Sequence, residues 1–109
     1  MEIHVLGGLV VQLSSGTLQL GTPKQRTVLA MLATHPGQLV TVAELVDELW
    51  PEEPPRSAVP NVRTYAANLR RNFETVDAAA GVLVRQANGY RLRVERDQVD
   101  IHCFETEYR

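Results

Sequence analysis

The 109-residue sequence contains a single cysteine, Cys103, and a single lysine, Lys24. One cysteine can form neither a disulfide within the chain nor a multi-cysteine zinc site. No apolar run approaches the roughly 20 residues that cross a bilayer, and the N-terminus lacks the features of a secretory signal. His4, His35 and His102 lie far apart, and no pair has the spacing of metal ligands on a helix. The sequence therefore predicts a cytoplasmic protein without membrane contact, metal or cofactor.

Charge is unevenly distributed along an otherwise ordinary globular composition. The formal net charge of -2 and the pI of about 5.9 argue weakly against nucleic acid as a partner. Yet the segment Arg56–Arg93 carries seven arginines against two acidic residues, whereas Thr41–Glu53 carries five acidic residues and no base. The basic third of the chain fits a nucleic-acid partner, because arginine suits phosphate and guanine edges. A GC-rich genome would produce the same preference for arginine over lysine.

Three segments have the start signals and the apolar periodicity of amphipathic helices. The second opens with a capping box, in which Thr41 and Glu44 satisfy each other's backbone N–H groups, and Ser57 is the predicted N-cap of the third. The first helix is predicted to begin at Thr22-Pro23 and to stop at His35-Pro36-Gly37. The second begins at Thr41 and ends at Trp50-Pro51. The third runs from Ala58 to Phe73 or Glu74.

Short strands are predicted on both sides of these helices. Apolar residues alternate over Ile3–Leu13 around a Gly7-Gly8 bend, and Ser14-Ser15-Gly16 is a predicted turn. The other predicted strands are Thr17–Leu20, Leu39-Val40, Val82–Arg85 and Tyr90–Val94, the last two forming a hairpin around the turn signal Asn88-Gly89. The order of strands, helix, strand, helix, loop, helix and hairpin predicts an α+β winged helix-turn-helix fold.

The third predicted helix carries the functional hypothesis. One stripe is apolar, and the opposite face has short polar groups ringed by arginines, as a helix in a DNA major groove requires. On that face Asn68 can pair with adenine, Thr64 can meet a thymine methyl group, and Arg63 or Arg71 can reach guanine or phosphate. Asn61 lies on the same face. Near the tip of the hairpin, Asn88 and Arg91 are placed to reach a minor groove.

Other interpretations of these residues stay open. An arginine-rich face can be ordinary solvated surface, or it can dock an acidic protein in a winged-helix interaction module. Trp50 closes the apolar stripe of the second helix and is either a core residue or a contact with DNA or polymerase. No nucleophile–base pair, phosphate-binding glycine loop or metal cluster is evident, so the sequence predicts no enzymatic activity.

Five segments carry, in order and with the same spacings, the motifs of a known family. These are TPKQR at 22–26, ELVDELW at 44–50, RTYAANLRR at 63–71, GYRL at 89–92 and VDIHCF at 99–104. In them the chain resembles the Streptomyces antibiotic regulatory protein family, which are actinomycete activators of secondary-metabolite gene clusters. The resemblance implies an OmpR-type winged helix-turn-helix over residues 1–98: an N-terminal antiparallel β-sheet, three helices and a C-terminal hairpin wing. Residues 99–109 would begin a bacterial transcriptional activation domain.

The resemblance also implies partners and contact residues. The partners are double-stranded promoter DNA with direct repeats, bound by head-to-tail copies, and RNA polymerase holoenzyme through its sigma factor. By position, Arg63, Thr64, Asn68 and Arg71 would face the major groove, Arg56 and Arg70 would contact phosphates, and Arg91 would be a wing contact. The loop Trp50–Arg56, with Glu52 and Glu53, would face polymerase. The family usually has a base at position 68 and a proline-glycine wing, so we expect a different preferred DNA sequence here.

Overall fold

The computed structural model of the chain describes residues 2–5, 8–13, 16–75 and 81–100. The predicted bend at Gly7, the predicted turn at Ser14-Ser15 and residues 101–109, with Cys103, lie outside them. The elements, in chain order, are β1 (Glu2–His4), β2 (Val10–Leu13), β3 (Gly16–Thr17), α1 (Pro23–Ala33), β4 (Leu39–Thr41), α2 (Val42–Leu49), α3 (Ala58–Glu74), β5 (Leu83–Gln86) and β6 (Gly89–Leu92). Among the described residues, no helix has both the length and the hydropathy of a membrane span.

The helix starts follow the predicted capping residues, with one difference. The Thr22 hydroxyl accepts a hydrogen bond from the backbone of Gln25, and Thr41 and Glu44 form the complete capping box of α2. Ser57 occupies the N-cap position of α3, but its side chain makes no cap. Its hydroxyl instead accepts a hydrogen bond from Asn61 Nδ2 at 3.2 Å.

The strands form two antiparallel sheets, in the orders β1-β2-β3 and β4-β6-β5. In the first sheet Ile3 pairs with Val11, and Ile3 also forms a parallel bridge to the buried Val99. The Asp100 carboxylate accepts a hydrogen bond from the backbone N–H of Val5 at 2.7 Å. The two ends of the described chain therefore meet at one sheet. The third strand covers Gly16–Thr17, so it begins one residue earlier than the predicted Thr17–Leu20 and is shorter.

The hairpin turn lies one residue earlier than predicted. Gln86 pairs with Gly89, so the two-residue turn is Ala87-Asn88, and Gly89 belongs to β6. Ala87 adopts φ 49, in the left-handed region that residues with a Cβ rarely enter. Gly89 has a different role: a Cβ on it would lie 2.1 Å from the carbonyl oxygen of Val40 in β4. The glycine is needed for close approach of two strands and not for the turn.

The core is formed by the helices together with buried residues of both sheets, such as Ile3 and Val11 of the first and Leu83 and Leu92 of the second. The buried stripe of α3 is Ala58, Val62, Ala66, Leu69 and Phe73, and the buried residues of α2 are Val42, Leu45, Val46 and Leu49. Trp50 is half-buried against this core, and Lys24 Nζ lies 5.0 Å from the centroid of its ring. Because one side of α3 is fixed by this packing, its opposite side is presented in a single orientation.

Candidate nucleic-acid interface

The exposed side of α3 has two chemically different edges. Arg63 and Arg70 lie on the edge toward the β5–β6 hairpin. Asn68 and Asn72 lie on the other edge, where they contact α1 and the segment before it. Thr64 is exposed between the two edges, and its hydroxyl donates a hydrogen bond to the carbonyl oxygen of Pro60 at 3.0 Å. The face is therefore cationic on one side and neutral, with amides, on the other.

A cleft of about 290 Å³ separates α3 from the hairpin. Its walls carry three arginines, Arg63 and Arg70 from α3 and Arg85 from β5, together with Thr64 and Tyr90. Across the described residues, none of the three guanidinium groups forms an ion pair with a carboxylate. An anionic ligand can therefore engage them without displacing a carboxylate of the described residues. A phosphate diester is such a ligand, and arginine binds it in a bidentate manner.

Arg85 was not among the predicted contact residues. In the register of the hairpin it pairs with Tyr90, which is 5% exposed, and alternate strand residues share a face. Both side chains therefore project from the face of the sheet that packs against α3. The signal for Arg85 was strand alternation, because residue 85 shares a face with the apolar Leu83 two residues earlier.

The structure does not bring Arg91 into this cleft. Arg91 pairs with Leu39 on one side and with Val84 on the other, on the face of the sheet opposite to Tyr90. There it lines a second cleft together with Arg93. A wing contact by Arg91 would therefore come from the outer face of the hairpin, away from the arginines beside α3.

The remaining predicted DNA contacts are distributed around α3 and the hairpin turn. Arg56 is exposed just before the helix, and Asn61 is half-buried in its first turns. Asn88 is exposed in the hairpin turn, while its carbonyl oxygen accepts a hydrogen bond from the backbone of Val42 at 2.8 Å. That bond ties the turn to the first residue of α2. Arg71 is exposed on α3, and its Nη2 donates to Asn68 Oδ1 at 3.1 Å.

A separate acidic surface lies on α2 and the loop after it. Pro51 to Ser57 are all exposed, including Glu52 and Glu53, whereas Trp50 is held half-buried at the start of the loop. The solvent-facing side of α2 continues this charge with Glu44, Asp47 and Glu48. The side chains predicted to face polymerase therefore belong to a larger acidic patch, and only Trp50 is partly withdrawn into the core.

The amino-acid sequence matches a known protein family and several transcription regulators. Residues 16–92 match the family model described as "Transcriptional regulatory protein, C terminal". The chain is 41% identical over 106 residues to transcriptional regulatory protein MoaR1 of Mycobacterium tuberculosis, covering 95% of this chain and 34% of the relative. It is 43% identical over 93 residues to regulatory protein AfsR of Streptomyces coelicolor, covering 85% of this chain and 9% of that protein. The chain thus spans about a third or less of the length of these relatives.

Solved structures agree with the sequence relatives. Mycobacterium tuberculosis EmbR, in complex with a low-affinity phosphopeptide, superposes with a TM-score of 0.86 at 34% identity, over 97% of this chain and 28% of that one. The DNA-binding domain of Escherichia coli CadC superposes with a TM-score of 0.63 at 22% identity, over 79% of each chain. At that identity the second likeness supports the fold alone.

The fold and these likenesses define an OmpR-type winged-helix DNA-binding domain of a transcription regulator. This chain belongs to the family of C-terminal domains of transcriptional regulatory proteins, in the form found in the Streptomyces antibiotic regulatory proteins. The α+β winged-helix prediction and the resemblance are both confirmed. The family comprises DNA-binding domains and not enzymes, which agrees with the absence of a predicted catalytic site.

Proposed function

We propose that this chain is the promoter-binding part of a transcriptional activator of secondary-metabolite, antibiotic-type gene clusters. The observation that carries the proposal is the cleft between α3 and the hairpin, where Arg63, Arg70 and Arg85 lie together without an ion pair to any carboxylate in the described part of the chain. A strand of duplex DNA has a negative charge at every nucleotide, and neutralising these phosphates releases counterions that drive binding. The family relationship to AfsR supports the same conclusion.

The contacts divide into those that position the domain and those that read bases. The arginines of the cleft clamp a phosphate backbone between α3 and the hairpin, and Arg56 adds a phosphate contact before the helix. This positioning places Thr64 and Arg71 against base edges in the major groove, because they lie at the middle of the exposed face. Asn61 flanks them.

The hairpin supplies the remaining DNA contacts in this proposal. Asn88, exposed in the turn, approaches the neighbouring minor groove, and Arg91 reaches the DNA from the outer face of the sheet.

In this proposal the protein acts in the cytoplasm, on the nucleoid.

The regulatory output of the domain requires a second partner. Two copies bound head to tail on direct repeats would leave the exposed acidic residues Glu52 and Glu53 of one copy facing RNA polymerase holoenzyme. A basic sigma-factor surface complements this charge.

In the same proposal, residues 1–98 form the DNA-binding domain and 99–109 begin a transcriptional activation domain. Val99, bridged to Ile3, and Asp100, bonded to the backbone of Val5, form the junction.

Selection from a random duplex library tests DNA recognition. The 109-residue chain, immobilised and washed at ~150 mM salt, is expected to enrich a discrete motif from random 30-bp duplexes, present as two copies in the same orientation about one helical turn apart. Sequencing of the bound pool after several rounds is the measurement. Enrichment of no motif would contradict the proposal. If random duplex also failed to bind at ~50 mM salt, docking of an acidic protein partner would be the better interpretation of the basic face.

In vitro transcription tests the acidic loop. A full-length regulator carrying this domain with Glu52→Lys and Glu53→Lys is expected to bind its promoter as tightly as the wild type but to lose about tenfold of its activation, because the charge complementary to sigma factor is reversed. Glu74→Lys, an exposed change on the last residue of α3, is the matched control and should keep activation. Undiminished activation by the loop variant would show that polymerase does not contact this loop.

A further inference from the structure

Gln25 is the buried polar side chain of the described core, with 4% of its surface exposed. Its side-chain Nε2 donates to the carbonyl oxygen of Leu20 at 2.8 Å, so the nitrogen end of the amide is fixed to the backbone. Gly21 leaves the space for this arrangement, because a Cβ at that position would lie 2.4 Å from Gln25 Nε2. A buried amide with fixed partners has one orientation, since turning it would leave a polar group unpaired.

The other end of the Gln25 amide points to the proposed DNA-reading face. Its Oε1 accepts a hydrogen bond from Asn68 Nδ2 at 3.3 Å, across 43 residues of sequence. Asn68 Oδ1 in turn accepts from Arg71 Nη2 at 3.1 Å. A continuous chain of hydrogen bonds therefore runs from the backbone of Leu20 to the guanidinium of an exposed arginine.

These contacts change the expected role of Asn68. A bidentate pair with adenine uses both the amide oxygen and the amide nitrogen of an asparagine. In this chain both atoms already have partners inside the protein, Gln25 and Arg71. These two bonds use one N–H and one lone pair of the amide and fix its orientation, so Asn68 is placed to orient Arg71.

We infer that Gln25 is a specificity-determining positioning residue, which acts through Asn68 to fix the guanidinium of Arg71 for reading a guanine edge. The inference rests on the proposed DNA-binding function. Bidentate recognition of guanine requires the planar fork to lie in one plane, and fixing a long arginine side chain on binding costs rotamer entropy. A hydrogen bond that restrains the fork before binding removes part of that cost.

The test compares motifs selected from a random 30-bp duplex library by the wild-type chain, Arg71→Ala, Gln25→Met and Asn68→Ala. Gln25→Met keeps the volume of the side chain and removes its hydrogen bonds. The wild type is expected to select a motif with at least one guanine whose preference Arg71→Ala loses. Gln25→Met and Asn68→Ala should weaken that preference about tenfold at the same position and leave the other positions unchanged.

Asn72→Ala is the matched control, because Asn72 Nδ2 makes a similar bond, to the carbonyl oxygen of Gln19 at 2.9 Å, without contacting Arg71. It should reproduce the wild-type motif. A double-mutant cycle separates orientation from general destabilisation: in the Arg71→Ala background, Gln25→Met should cause less than a twofold further loss of affinity for the selected duplex. Thermal melting of each variant verifies folding, and Asn68→Ala decides the matter if Gln25→Met is unfolded.

The outcomes distinguish the two hypotheses. If the wild type selects no motif, the proposed function itself fails, and the inference fails with it. If the wild type selects a motif but Gln25→Met and Asn68→Ala retain the preference that Arg71→Ala loses, only the inference is overturned. It is also overturned if Arg71→Ala retains the complete motif, or if Gln25→Met weakens binding equally with and without Arg71.

Discussion

Replacing Arg63, Arg70 and Arg85 together with alanine is expected to lower the affinity of this chain for duplex DNA by about 100-fold at ~150 mM salt. The three guanidinium groups line one cleft and form no internal ion pair within the described structure, so their charge is available to phosphates. Each phosphate contact contributes about 0.9 to the slope of log K against log salt concentration. The slope should therefore become shallower by about 2.7. Anisotropy titrations of a labelled 30-bp duplex from ~50 to ~200 mM salt measure both quantities.

The second arginine cleft provides a matched control. Arg91, Arg93 and Arg96 surround it on the outer side of the hairpin sheet, and replacing all three with alanine removes the same formal charge. We expect a slope change of about one from this variant, which is the contribution of a single wing contact by Arg91. Equal changes in the two triple variants would show that DNA responds to the net charge and not to the cleft beside α3.

The parts of this surface that follow from local chemistry were predictable from sequence. The limits of α3 and its buried stripe depend on apolar residues at helical spacing. The structure confirms the limits and buries the predicted Val62, Ala66, Leu69 and Phe73, whereas Tyr65, predicted on the same stripe, is half-buried. The capping box of Thr41 and Glu44 is equally local, since the two side chains lie three residues apart. Thr64 and Arg71 are exposed as expected, because helical periodicity alone places them opposite the buried stripe.

Other features of this surface depend on partners distant in sequence. Asn68 has the polar character expected of a base-reading residue, but its amide contacts Gln25, and no pattern within α3 reveals that pairing. The register of the hairpin failed for a related reason. Asn88-Gly89 is a strong turn signal, yet Gly89 pairs with Thr41 in β4, and the turn moves to Ala87-Asn88. The orientation of Arg85 does not depend on this register, because strand alternation places it on the same face as the buried Leu83 with the turn in either position.

Gly89→Ala is expected to reduce the free energy of unfolding by about 2–4 kcal/mol, a large share of the ~5–15 kcal/mol of a small domain. The new Cβ would lie 2.1 Å from the carbonyl oxygen of Val40 and 2.8 Å from the Cα of Thr41. Both are backbone atoms, so no side-chain rotation relieves the overlap. Moving β4 away would also disturb the start of α2, since the N–H of Val42 is bonded to the carbonyl oxygen of Asn88. Urea denaturation followed by far-UV circular dichroism measures the loss.

Gly37→Ala separates this steric cost from the cost of backbone conformation. Gly37 has φ +74 and nothing within 4 Å of its ideal Cβ, so alanine there should cost only about 1 kcal/mol. A cost at Gly89 no larger than that at Gly37 would contradict the close approach of β4 and β6.

Displacement of the hairpin also affects DNA binding. Because β5 is hydrogen-bonded to β6, moving β6 also moves Arg85 away from α3. Gly89→Ala should therefore weaken DNA binding even in the folded fraction, whereas Gly37→Ala should leave it within twofold, and binding measured well below each variant's melting temperature distinguishes the two.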